Sequence, residues 1–173
     1  MSTLAIQSVL AGLPIFNTML PGIKFFEPKD HFFKQMSAAY RGLRVYDVGA
    51  GMGHIALGLA LEGMTVTALD LIMRENAEFP VVHTNSVGYR YPSDSVLLFC
   101  RPCHNQFVEA TIHQGLRCGV QHFVYAGLAK NVESDLGRFR RDFVSVARKI
   151  GHDGESLYVM GKSKEVWAGL LEG

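Results

Sequence analysis

The sequence has few cysteines, little net charge and no long apolar run, and each shortage excludes a class of protein. Its three cysteines are an odd number, which argues against a framework of disulfides. A net charge of +1 provides no strong field toward nucleic acid, so we do not expect a nucleic-acid partner. No apolar run approaches the roughly 20 residues of a membrane-spanning helix, so we expect no membrane partner.

The start of the chain lacks the charged residues of a secretory signal. No Lys or Arg precedes Lys24, although the first residues are mildly apolar. We therefore expect a cytoplasmic protein with reduced thiols. Its 173 residues fit one domain, and a hydrophobic fraction of 48% is sufficient for a full core.

The most informative segment is a glycine-rich turn between a strand and a helix. Residues 44–48 have the character of a buried strand, and residues 54–62 have that of a helix. Between them glycine occupies alternate positions, at Gly49, Gly51 and Gly53. Glycine adopts positive φ and lets a ligand approach the backbone, while the first amides of the helix face that ligand. The segment predicts a cofactor pocket at the carboxyl edge of a parallel sheet.

Two aspartates accompany this turn and favour a cofactor with an unphosphorylated ribose. Asp47 stands two residues before Gly49, and Asp70 ends the next apolar run. Asp70 can accept hydrogen bonds from both hydroxyls of a ribose. Asp47 would repel a pyrophosphate but could hold an ammonium group. S-adenosylmethionine carries an ammonium and a sulfonium and no phosphate.

The glycine spacing fits a dinucleotide cofactor less well. The fingerprint Gly-x-Gly-x-x-Gly, started at Gly49, requires glycine where His54 stands. Started at Gly51, it requires a third glycine where Ala56 stands, which the fingerprint sometimes permits. NAD binding is weakened rather than excluded, so an NAD-dependent oxidoreductase stays open as an alternative.

Residues 47–53, Asp-Val-Gly-Ala-Gly-Met-Gly, resemble motif I of the class I S-adenosylmethionine-dependent methyltransferases. The resemblance covers positions 42–128 well and the two ends poorly. It implies a Rossmann-like fold in which Asp70 binds the ribose, Asn85 contacts the adenine amino group and the Ser86 amide faces the ring. The full set that it implies for S-adenosylmethionine binding is Asp47, Gly49, Ala50, Gly51, Gly53, Asp70, Leu71, Asn85, Ser86 and Cys100.

Strands and helices alternate along the chain, which predicts an α/β fold with a doubly wound, mostly parallel sheet of about six strands. We expect strands near 43–48, 64–69, 80–83, 95–100, 121–126 and 156–160, and helices near 53–62, 104–117 and 133–149. The connection from Asp70 to His83 is so short that its helix should be a single turn or absent.

The two ends of the chain depart from this regular pattern. Residues 1–41 are expected to form a helical extension over the sheet or pocket, with Phe25, Phe26 and Phe32 as candidate lining residues, and residues 42–173 to form the cofactor domain. After Met160 there is hardly room for the hairpin that completes the family's seven-stranded sheet. The fold should therefore be trimmed at its C-terminus, and a homo-oligomer is expected to cover the trimmed edge.

The acceptor side is predicted to follow the fourth strand, at residues 100–104. That segment, Cys-Arg-Pro-Cys-His, lacks the Asn/Asp-Pro-Pro-aromatic motif of the amino-methylating members of the family, so small molecules are favoured as acceptors. It also matches a haem-attachment pattern, which we discount because it ends a buried strand in a chain without an export signal. A zinc site there would have no fourth ligand at a typical spacing, so no metal is expected.

Two histidines are candidates for a base that removes a proton from the acceptor. His104 is the first candidate because it lies beyond the fourth strand, and His54 is the second because a helix N-terminus would keep it neutral. The alternative to a methyltransferase of unidentified acceptor is a module that binds S-adenosylmethionine or S-adenosylhomocysteine without turnover.

Overall fold

The computed structural model describes residues 25–73, 75–102 and 105–172, and within them seven strands form one sheet. In chain order the strands are β1 Arg44–Val48, β2 Thr65–Asp70, β3 Val81–His83, β4 Ser95–Cys100, β5 His122–Gly127, β6 Val144–Ala147 and β7 Ser156–Gly161. Their order across the sheet is β3-β2-β1-β4-β5-β7-β6. The first five strands are parallel, and β7 is antiparallel to both β5 and β6.

Helices cover both faces of this sheet. They are α1 Asp30–Ala39, α2 His54–Leu61, α3 Asn105–Arg117, α4 Val132–Leu136 and α5 Ser163–Glu172. Side chains alternate between the two faces along each strand. Val96 and Leu98 therefore pack in the core with α1, α2 and α5, whereas Leu97 and Phe99 pack with α3 and α4.

None of the helices in the described ranges is long and apolar enough to span a membrane.

The predicted α/β fold is confirmed, and the six predicted strands agree with β1–β5 and β7 to within one residue at each end. As expected, the described residues between β2 and β3 contain no helix. Of the expected N-terminal extension, residues 25–41 are described and include α1, and the remainder lies outside the described residues.

The predicted helix over 133–149 is wrong. Its first turn forms α4, which stops at Gly137, where φ is +52°. Val144–Ala147 then forms β6, which pairs with β7 along that strand's outer edge. Pairing satisfies backbone groups that a helix would have left open on β7, and β-branched valines suit a strand.

The sheet is therefore not trimmed at its C-terminus, because β6 and β7 form the hairpin that was expected to be missing. The sheet has seven strands rather than about six. The helix α5, which was not predicted, follows the hairpin and packs the buried Trp167 against Tyr40 of the α1 end, with Trp167 Nε1 donating to Tyr40 Oη at 2.9 Å. The homo-oligomer stays a prediction, without the trimmed edge that motivated it.

Candidate cofactor site

A cavity of about 590 Å³ opens at the carboxyl ends of the parallel strands, beside the switch point between β1 and β4. Open α/β sheets bind their ligands at this position. The predicted residues that line it are Asp47, Gly49, Ala50, Gly51, His54, Asp70, Leu71, Ser86 and Cys100. The predicted residues Gly53 and Asn85 do not line it. Most of the predicted set is thus brought together around one space.

The three glycines of the turn all have positive φ, but they serve different purposes. A Cβ at Gly53, the residue directly before α2, would lie 2.9 Å from the Cβ of Phe79, so this glycine permits packing. A Cβ at Gly49 would lie 3.2 Å from the ring of Phe107. A Cβ at Gly51 would meet no described atom within 4 Å, because Gly51 borders the open space of the cavity. Gly51 is therefore the glycine that leaves room for a ligand.

Asp70 holds the glycine turn in place from the end of β2. Its Oδ2 accepts a hydrogen bond from the Gly51 amide at 2.8 Å, and its Oδ1 accepts one from the Ile72 amide at 2.9 Å. An ionised carboxylate has about four acceptor positions. Asp70 therefore keeps acceptor capacity for two ligand hydroxyls after it has bound both amides.

Asp47 is a buried carboxylate with an unsatisfied oxygen. Strand alternation places it on the same side of β1 as Val45, where it is 2% exposed. Its Oδ2 has no hydrogen-bond partner among the described residues. Burial, followed by the negative charge of Asp70, raises the pKa of Asp47 to about 7 from its ordinary 3.8, although a hydrogen bond from the Ala56 amide opposes the shift. Such a group is stabilised by a ligand that carries a positive charge.

The loop after β3 contributes Ser86 to the site but not Asn85. Ser86 is buried, with Oγ 2.8 Å from Thr111 Oγ1 and its carbonyl accepting a hydrogen bond from Tyr91. Asn85 is exposed, and its Oδ1 accepts a hydrogen bond from the Val87 amide at 3.0 Å. That local turn occupies the Asn85 side chain, so it does not reach the cavity. Thr84, which was not predicted, lines the cavity instead.

Of the two candidate bases, only His54 lies within the described residues. It lines the cavity, and its Nε2 is 2.9 Å from the carbonyl oxygen of Phe26, so Nε2 donates a proton there and only Nδ1 is left to act as a base. His104 and Cys103 lie outside the described residues. Burial, with the charges of Asp47 and Glu155, raises the pKa of Cys100, so its thiol stays protonated.

An ion-pair cluster beside β4 was not predicted. Arg101 lines the cavity directly after β4, and its Nη1 lies 3.1 Å from Asp153 Oδ2 and 3.2 Å from Glu155 Oε1. Glu155 is fully buried. Both carboxylates belong to the loop between β6 and β7. The sequence analysis predicted a helix over 133–149 before this loop, so it did not predict the hairpin that contains the loop. The one sequence feature that could have indicated Arg101 as a cavity residue is its position directly after the fourth strand.

The residues before α1 cover one side of the cavity. We call residues 25–29 the N-terminal strap. The Lys29 amide donates to the Ile150 carbonyl at 2.8 Å, and the His152 amide donates to the Glu27 carbonyl at 3.0 Å. Phe25, Phe26 and Glu27 of the strap line the cavity, whereas Phe32 is fully buried in the core. The loop between β6 and β7 thus fixes both the strap and Arg101.

The solved structures that resemble this architecture include methyltransferases. The 23S rRNA methyltransferase ErmE superimposes with a TM-score of 0.54 at 14% identity, over 80% of this chain and 69% of that one. A putative RNA methyltransferase from Pyrococcus horikoshii gives a TM-score of 0.53 at 14% identity, over 93% and 97% of the two chains. The chain has a class I methyltransferase-like fold.

This methyltransferase-like fold does not determine the acceptor. A 1,6-didemethyltoxoflavin methyltransferase from Burkholderia thailandensis, solved with bound 1,6-didemethyltoxoflavin and S-adenosylhomocysteine, gives a TM-score of 0.50 at 12% identity, over 93% of this chain and 91% of that one. The similar enzymes therefore act on RNA in some cases and on a small molecule in another. No protein-family model and no curated protein matches the sequence.

Proposed function

We propose that the protein is an S-adenosylmethionine-dependent methyltransferase that acts on a small molecule. The observation that carries the proposal is the buried, unsatisfied carboxylate of Asp47 in the same cavity as Asp70. Leaving a buried carboxylate unpaired is costly, so its partner belongs to the ligand. A ligand with an ammonium group at Asp47 and a ribose at Asp70 satisfies both acids.

The rest of the cavity fits the same ligand. The open side of Gly51 admits the ligand close to the backbone of the turn. Leu71 lines the cavity next to Asp70 and is 60% exposed, so it offers an apolar surface to an adenine ring. The Asp47 carboxylate would oppose the pyrophosphate of a dinucleotide, which argues against the NAD-dependent alternative.

The chain's own contribution to the reaction is orientation and charge. Bound S-adenosylmethionine supplies a methyl carbon on a positively charged sulfur, and transfer leaves the C–S bonding pair on that sulfur. Asp47 and Asp70 would hold the two ends of the donor, and orientation can supply much of the rate of such a displacement. His54 can offer its Nδ1 as a base to an acceptor that must lose a proton, because its Nε2 is bound to the Phe26 carbonyl.

Calorimetric titration with S-adenosylmethionine, S-adenosylhomocysteine and NAD tests the cofactor. We expect micromolar binding of the two sulfur compounds and no binding of NAD. Asp47→Asn should weaken binding of S-adenosylmethionine by about tenfold or more, since a charge-assisted hydrogen bond is lost. The proposal would be refuted if the protein bound NAD and neither sulfur compound. It would also be refuted if folded protein, identified by a cooperative thermal transition, bound none of the three.

Turnover separates an enzyme from a module that only binds. S-adenosylhomocysteine should accumulate when the protein is incubated with S-adenosylmethionine and a mixture of small-molecule acceptors. The Asp47→Asn variant in the same mixture controls for spontaneous breakdown of the donor. Tight binding without any product over a broad acceptor panel would favour the non-catalytic alternative.

A further inference from the structure

Phe25 and Glu27 of the N-terminal strap lie on the same side of its backbone. Phe26 is 2% exposed and packs edge-on against Phe32, with ring centroids 5.1 Å apart. Its neighbours Phe25 and Glu27 are both exposed, Phe25 by 52%, and both line the cavity. Alternation of this kind is what an extended segment produces, and Pro28 indeed bridges Gly151 in antiparallel fashion. An aromatic ring and a carboxylate thus stand side by side at the cavity.

Pro102 after β4 and Phe107 of α3 add further apolar surface to this cavity. Pro102 follows Arg101 there, and the ring of Phe107 lies over Gly49 at the start of the glycine turn. Neither residue offers a charged group to a ligand. A flat apolar molecule could pack against these two side chains. The contact would exclude water from the ring of that molecule and from the methyl carbon to be transferred.

The charges at the cavity favour a cationic molecule over an anionic one. Arg101 is the one Arg or Lys in the described lining, and Asp153 and Glu155 already bind its guanidinium. Glu27, by contrast, makes no side-chain hydrogen bond or ion pair with any residue that the structure describes. Among the described lining residues, an anionic acceptor would therefore meet the Glu27 carboxylate and no Arg or Lys that is not already paired.

We propose that Phe25 and Glu27 form the acceptor subsite, and that it takes a flat aromatic molecule with a positively charged or N–H-bearing nitrogen. The ring packs on Phe25, and the nitrogen donates a charge-assisted hydrogen bond to the Glu27 carboxylate. This inference rests on the proposed function, because it assigns the part of the cavity that S-adenosylmethionine leaves to the second substrate.

Matched aromatic probes of opposite charge test the subsite. Protein saturated with S-adenosylhomocysteine is titrated with 4-aminopyridine, 4-aminoquinoline and 9-aminoacridine, which are cations near neutral pH. The matched anions are benzoate, 1-naphthoate and 9-anthroate. We expect at least one cation to bind about tenfold or more tightly than the anion with the same number of rings, the advantage of one charge-assisted hydrogen bond.

Three variants locate the binding of the cation. Glu27→Gln keeps the shape of the side chain and removes its charge, and it should weaken the best cation by about tenfold. Phe25→Ala should weaken both the best cation and its matched anion, because both lose the ring surface. Asp30→Asn removes an exposed carboxylate three residues from Glu27 that does not line the cavity, so it should change neither. Asp30→Asn should also leave the affinity for S-adenosylhomocysteine within about twofold of the parent. That affinity is measured for Glu27→Gln and Phe25→Ala as well, so that each variant is saturated before the aromatic probes are added.

The outcomes distinguish this inference from the proposed function. If S-adenosylhomocysteine does not bind, both fall. If S-adenosylhomocysteine binds but no cation does, or the anions bind as tightly, the acceptor subsite alone is overturned. The same conclusion follows if Glu27→Gln leaves the cation's affinity unchanged, or if a short RNA binds while no aromatic cation does.

Discussion

The Gly51 amide donates a hydrogen bond of 2.8 Å to Asp70 Oδ2, so the end of β2 and the glycine turn after β1 form one unit. A carboxylate that was predicted to bind only a ribose also shapes the loop that a ligand must approach. Cofactor affinity and local stability should therefore respond together when Asp70 changes.

Replacement of Asp70 by Ala should weaken S-adenosylmethionine binding by about tenfold or more and lower the free energy of unfolding by about 1–3 kcal/mol, because the Gly51 and Ile72 amides lose their acceptor. Chemical denaturation and calorimetry measure the two effects. The control is Asp94→Ala, which removes a half-exposed carboxylate paired with Arg44 and should cost about 1 kcal/mol or less without affecting binding. Unchanged stability in Asp70→Ala would contradict the dual role.

Binding of S-adenosylmethionine should strengthen as pH rises through about 7. The pKa of Asp47 in the free protein is raised to about 7, and only the ionised carboxylate holds an ammonium group well. Affinity should fall by up to about tenfold for each pH unit below 7. Calorimetry in two buffers of different ionisation enthalpy should also detect proton release on binding near neutral pH. A dependence that persists in Asp47→Asn would assign the titration to another group.

The ligand-free protein should lose stability over the pH range in which Asp47 ionises. Its folded pKa is raised, from 3.8 to about 7, so its contribution is fully present below about pH 4 and is lost as pH rises through about 7. The loss at this residue should approach about 4 kcal/mol above pH 7. Asp47→Asn removes it, so the variant should gain stability relative to the parent between about pH 5 and about pH 8. If the free energy of unfolding changed with pH in the same way for the parent and for Asp47→Asn across this range, Asp47 would not be ionised and unpaired in the folded protein.

Alanine at three glycines should separate strain, packing and ligand approach. Gly63, Gly51 and Gly53 all have φ between +59° and +85°, so each substitution adds backbone strain. Gly63→Ala should show that strain alone, about 1 kcal/mol. Gly53→Ala should cost more, since its Cβ would meet Phe79.

Gly51→Ala should resemble Gly63→Ala in stability, because no described atom opposes its Cβ, and yet lose most of its affinity for S-adenosylmethionine. Thermal unfolding and calorimetry on the three purified variants provide the comparison. Full affinity in Gly51→Ala would mean that the ligand does not approach this part of the turn.

The glycine turn and its two acids were predictable because they depend on neighbours in sequence. Positive φ, the alternation along β1 and the end of β2 are local properties, and the structure has each of them where the pattern indicated. Asn85 shows the limit of such reasoning. A contact with its own turn competes with a contact across the cavity, and sequence alone does not reveal which is made.

The sequence by itself determined the doubly wound sheet, the pocket at the carboxyl ends of its strands and the placement of Asp47 and Asp70 beside that pocket. Only the tertiary structure decided the conformation of residues 133–149. Leu136, Phe143 and Ile150 have the seven-residue spacing of one helix face, yet they are buried in a segment that forms α4 and β6. Pairing with the open edge of β7 favoured a strand over a helix for Val144–Ala147. The same hairpin brought Glu155 to Arg101 across 54 positions of sequence, a pairing that no local pattern encodes.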